Sequence, residues 1–203
     1  MLEKFKKREK LIDYLRGRDE RGDVRGFNED LASKILAKGG FEELKDLADF
    51  WRENGRQITD EEVEVFSYYQ KLRQQVRQDC RAALEKRKIN APRETEEERI
   101  LGCYLEAIEP QVRQVVLNLN RKGYKTQGSG FGPENTQKIY CADGQFAGLD
   151  FSTIFLSSLK ERGVDLKIEP KSLTLYLSKR LSLDELCVIW QEIEKQIKLK
   201  DLT

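Results

Sequence analysis

The side chains this chain has for chemistry are four cysteines, 36 carboxylates and 37 lysines and arginines, with no histidine at all. Without imidazole there is no Ser-His-Asp or Cys-His catalytic pair and no HExxH metal site. Cys80, Cys103, Cys141 and Cys187 are widely separated and form no CxxC pair, so they read as reduced thiols, mostly in the core. A zinc site would need clustered cysteines, and none is expected. Neither GxxxxGK[ST] nor a GxGxxG opening a helix after a strand is present, which removes the two common phosphate cradles. No metal and no cofactor is expected on these grounds. The carboxylates suggest no catalytic pair: those on helices fall at caps and solvated faces, and Asp143, Asp150 and Asp165 stand in or beside turns. Tyr140 and Cys141, neighbours on a strand, point to opposite faces and share no site.

Two segments retain binding chemistry. Between Lys71 and Arg93 there are eight cations against Asp79 and Glu85 alone. Arg73, Arg77 and Arg81 recur at i,i+4, with Lys88 beyond them, and would form a ridge beside an apolar helix stripe, suited to phosphates along a groove. The same arrangement also follows from helix electrostatics, with Asp60, Glu61, Glu62 and Glu64 at the start and cations at the end. The second segment, GSGFGPEN from Gly128 to Asn135, offers backbone N–H groups to an anion, with Ser129, Gly130 and Asn135 beside them. It reads equally as a wide hairpin turn that needs glycine for its dihedrals. The string LNRKGYKTQGSG, Leu119 to Gly130, is faintly similar to a helix-glycine-strand junction in the wybutosine-synthesis methyltransferases of tRNA, through Gly123, Tyr124, Thr126, Ser129 and Gly130. Gly130 follows Ser129 directly where that pattern has a cysteine, so the motif is broken and membership of that family is not inferred.

The elements that must position these residues follow from periodicity and caps. Asn28 caps a short helix ending at Gly39-Gly40, and a second runs from Phe41 to Gly55. Thr59 with Glu62 is a capping box for a helix of about 28 residues, with the stripe Val65, Tyr69, Leu72, Val76, Cys80 and Ala83. Residues 16 to 26 carry no stripe and read as a loop, and KINAPRE, Lys88 to Glu94, reads as an interdomain linker. Thr95 with Glu98 caps the next helix, and Pro110 kinks or restarts it. From Tyr124 the pattern alternates. Strands over 124–131 and 137–142, a helix from about Leu149 to Arg162, strands over 165–169 and 172–178, and a helix capped by Ser182 and Glu185 complete an α-ββα-ββα order.

The expected fold is therefore α+β: an N-terminal helical region, residues 1–90, and a domain over residues 95–203 with a four-stranded, mainly antiparallel sheet. A net charge of +1 supplies no global field for nucleic acid or an anionic membrane. No apolar run approaches the roughly 18 residues of a membrane span, and the first residues hold no signal-peptide core, so the cytoplasm is the expected location. These features point to a non-catalytic protein-binding or assembly factor acting through the long helix or the open face of the sheet. The alternative is an RNA- or DNA-associated protein using the arginine ridge. A third class is an enzyme of RNA or nucleotide metabolism using the glycine loop.

Overall fold

The structure, a computed structural model, describes residues 59–90, 95–132 and 135–200. The two helices expected before Gly55 and the loop at 16–26 lie outside the described residues. Thr59 accepts a hydrogen bond from the Glu62 N–H at 3.2 Å, and the Glu62 carboxylate takes the Thr59 N–H at 2.8 Å. This capping box opens α1, Asp60–Asn90, whose 31 residues bury Val65, Phe66, Tyr69 and Val76. Thr95 and Glu98 form the second box, opening α2, Glu96–Leu101, which stops where Gly102 turns left-handed at φ 68°. One 3₁₀ turn, Leu105–Ala107, precedes α3, Pro110–Arg121. Proline therefore restarts a helix here, at the position where its missing N–H costs nothing.

Strands β1, Thr126–Phe131, and β2, Thr136–Cys141, form the first hairpin. Helix α4, Thr153–Glu161, starts later than expected, because Ser152 caps it by accepting from the Phe155 N–H at 3.2 Å. Strands β3, Val164–Glu169, and β4, Ser172–Leu177, make the second hairpin, and α5, Leu183–Gln196, opens on the third capping box, Ser182 with Glu185. All neighbouring strands pair antiparallel in the order β1-β2-β4-β3, so the class is α+β, as read from the sequence. One side of the sheet, with Phe131, Ile139, Leu173, Leu175, Leu177 and Val164, is buried. It shares one core with Val112, Val115 and Leu119 of α3 and with Leu186, Ile189, Trp190 and Ile193 of α5.

The long helix belongs to this same body. Fully buried Tyr69 donates its hydroxyl proton to the Lys179 carbonyl at 2.6 Å and accepts the Leu181 N–H at 3.0 Å, while Tyr68 donates to the Leu181 carbonyl at 2.9 Å. Farther along, Arg87 pairs with Glu98 at 2.8 Å and Glu106 at 2.7 Å and lies 5.8 Å over the Tyr104 ring. These contacts cross the boundary expected between residues 90 and 95. The compact unit runs Thr59–Thr203, and KINAPRE connects two elements within it. Among the described residues no helix is long and apolar enough to cross a membrane.

Candidate functional site

The arginine ridge and the glycine loop, separate in sequence, meet at one residue that neither pattern contains. Glu109, just before Pro110 at the start of α3, is buried, and its carboxylate reaches across to β1. Its Oε2 accepts the Phe131 N–H at 2.8 Å and the Gln111 Nε2 at 2.7 Å. Arg77 lies 3.9 Å from Oε1 and donates through Nη2 to the Phe131 carbonyl at 3.2 Å. Phe131 thus has its N–H held by a carboxylate and its C=O by a guanidinium, which ties α1, α3 and β1 together. Burial pushes the Glu109 carboxyl above its usual range, against the Phe131 N–H, the Gln111 amide and the charges of Arg77 and Arg73.

This geometry redistributes the ridge. Arg73, with 7% of its surface exposed, lies within the apolar stripe, four residues after Tyr69 and three before Val76. Arg77 is half-exposed and engaged with Glu109 and Phe131; Arg81 is exposed. Lys88 lies in the last turn of α1, and its side chain falls outside the described residues. No continuous row of solvent-facing arginines results. The loop is redistributed as well. Gly128, Ser129 and Gly130 are strand residues of β1, paired with Tyr140, Ile139 and Lys138. Asn135 donates its side-chain amide to the Leu177 carbonyl, and its own carbonyl accepts the Leu177 N–H at 2.9 Å. Within this segment it is the Phe131 N–H that meets a carboxyl, the protein's own Glu109. The missed signal was an acid placed before a proline that starts a helix, where the dipole favours negative charge.

The other side of the sheet is chemically distinct. Register places Gly128, Tyr140 and Ser172 in one row, Lys138, Thr174 and Lys167 in the next, and Thr136, Tyr176 and Asp165 in a third. Tyr140 and Tyr176 are 44% and 41% exposed, and no aliphatic side chain occupies these rows. Gly128 leaves the flank of Tyr140 open, since a Cβ there would stand 3.8 Å from the ring. Lys167 reaches the Glu169 carboxylate at 2.7 Å, which raises the lysine and lowers the acid. Tyr176 also acts on Lys167, and Lys138 on Glu169, so these side chains share one electrostatic neighbourhood. The two rings stand four residues apart along adjacent strands, about 13 Å at the strand rise.

The remaining chemistry is dispersed. All four cysteines are free thiols, but only Cys141 is buried: Cys80 and Cys187 are half-buried and Cys103 is exposed, contrary to the expectation of mostly core positions. Cys103 stands in the turn after the left-handed Gly102. Burial raises the Cys80, Cys103 and Cys141 thiols, away from the thiolate a nucleophile needs. Among the described residues no group of three or more Cys, Asp or Glu is placed to hold a metal ion. Fold and site together define an α+β protein with an antiparallel sheet, one face of which carries tyrosines and lysines. Comparison with protein-family models, curated proteins and solved structures finds no match.

Proposed function

We propose that this is a non-catalytic binding protein that receives single-stranded nucleic acid on the tyrosine-bearing face of its sheet. The observation that carries the reading is the pair Tyr140 and Tyr176, both part-exposed on one face, with Lys138 and Lys167 in the row between them. Bases stack on such rings whatever their sequence, contributing about 1–3 kcal/mol each, while lysines meet the phosphates between them. A sheet face fits unstacked bases rather than the groove of a duplex. The absence of aliphatic side chains from these rows disfavours an apolar protein interface. Lys167 already pairs with Glu169, so Lys138 is the principal phosphate contact and the salt dependence is shallow, with a log–log slope near the roughly −0.7 of one single-strand contact. The non-catalytic part rests on the lack of histidine and on the enclosure of Glu109.

Fluorescence anisotropy with a mixed pool of single-stranded oligonucleotides, and the same pool as duplex, tests this at two salt concentrations. Micromolar binding to the single strand is expected, weakened at least about tenfold in Tyr140→Ala/Tyr176→Ala, in line with the loss of two stacking contacts. The melting temperature of the variant is expected to stay near that of the wild type. Absence of binding by the wild type, or binding that the double variant retains, rejects this reading and returns the face to a protein partner.

A further inference from the structure

The junction below β1 holds a buried acid whose partner can serve it in either protonation state. Glu109 receives the Phe131 N–H and the Gln111 Nε2 on the same oxygen, Oε2, at 2.8 and 2.7 Å. Gln111 is itself buried, and its other amide atom, Oε1, has no hydrogen-bond partner. Nothing apart from Glu109 therefore fixes which way that amide points. With Glu109 ionised, the amide N–H donates to the carboxylate. With Glu109 protonated, half a turn of the amide presents its oxygen to the new O–H, and the bond between the two side chains survives. The Phe131 N–H stays on the same oxygen, Oε2, whose remaining lone pair accepts it more weakly once that oxygen carries the proton. What is lost is the charge attraction to Arg77, at 3.9 Å, and to Arg73.

We propose that Glu109 and Gln111 form an internal proton-accepting pair, in which proton uptake keeps the hydrogen bonds to α3 and β1 and releases Arg77 of the long helix from the carboxyl. The charged and titratable groups around the pair are Arg73, Arg77 and Cys80 from α1 and Arg113 from α3. The paired strand residue, Phe131, adds no charge. Arg73 and Arg77 favour the ionised acid, and burial, the larger influence, favours the neutral one. Gly130 makes the enclosure possible: a side chain there would put its Cβ 2.4 Å from the Glu109 carboxyl carbon. After uptake, Arg77 keeps its bond to the Phe131 carbonyl, so the fold persists with one more net positive charge at the end of β1.

The direction of the linkage follows from burial. A carboxyl raised in the folded state favours folding once protonated, so stability increases as pH falls from the raised value toward the ordinary glutamate range, and that gain is lost again as pH rises. The test is a pH titration of the full chain by NMR, following the glutamate δ-carbons and the Phe131 amide proton. One δ-carbon and the Phe131 amide are expected to share a midpoint above that of the other glutamates, and the δ-carbon signal is expected to be absent in Glu109→Gln. The melting temperature of the wild type is expected to rise with acidification through that window, and that of Glu109→Gln to stay flat. If Glu109→Gln does not fold, the Phe131 amide of the wild type decides alone. A Phe131 amide without a titration above the ordinary glutamate range overturns the proposal, as does an equal pH slope in a folded Glu109→Gln.

Discussion

Gly130 has φ +120°, a region that L side chains rarely adopt, and the space where its Cβ would stand is taken by the Glu109 carboxyl, with oxygens at 2.6 Å. Backbone and packing thus demand glycine independently. Gly130→Ala is expected to destabilise the protein by about 1–3 kcal/mol from the dihedral alone, measured by urea denaturation. Combining it with Glu109→Ala is expected to recover only part of the loss, because the collision is removed and the dihedral strain stays. Glycine at this position was legible in the sequence as a special residue, but its reason was not. The functional alternative invoked an external anion and the structural one a turn, whereas the cause is an internal carboxylate brought from α3. Arg73 teaches the complementary lesson. Its spacing from Tyr69 and Val76 put it in the apolar stripe from the start, and the regular run with Arg77 and Arg81 drew attention to charge where helix geometry already indicated burial.

The elements were most legible where their determinants are local. The three capping boxes at Thr59, Thr95 and Ser182 need only four consecutive residues each, and all three form. The strands were placed within two residues, since alternation is read along the strand itself. What local pattern does not encode is which element docks where. Helix α1 is held to the β4–α5 connection by Tyr69, whose hydroxyl serves the Lys179 carbonyl and the Leu181 N–H at once. In sequence Tyr69 is simply one member of an apolar stripe. Tyr69→Phe keeps the ring and its 6.2 Å packing on Phe131 but leaves both backbone groups without the hydroxyl. A loss of about 1–3 kcal/mol is expected, the cost of buried polar groups left unsatisfied. Tyr140→Phe on the open face serves as the control and is expected to stay within about 0.5 kcal/mol of wild type. Equal effects at the two positions would contradict the docking of α1.

For the whole molecule, the question is where the folding unit begins. A proline and a polar run at KINAPRE argue for a boundary there, and on that pattern residues 95–203 stand alone. Packing points to Thr59 instead. Val65, Tyr69 and Val76 of α1 are buried in the same core as α3, α5 and the sheet. Burying an aliphatic or aromatic side chain of this size contributes about 1.5–3 kcal/mol, so removing three of them forfeits roughly 5–9 kcal/mol. That is comparable to the whole stability of a typical domain, about 5–15 kcal/mol. The loss falls on a surface that also gives up the ion pairs of Arg87 with Glu98 and Glu106 and the clamp of Arg77 on Phe131. A chain beginning at Thr59 is therefore expected to unfold in one cooperative thermal transition. A chain beginning at Thr95 is expected to show no sharp transition and a poorly dispersed amide spectrum, because Phe131 and the β4–α5 connection lose the partners that fix them. Circular dichroism melts of the two chains under one buffer decide the matter. A cooperative transition in the shorter chain, within a few degrees of the longer, would mean that α1 is an appendage and that the sheet with α2 to α5 forms a complete core.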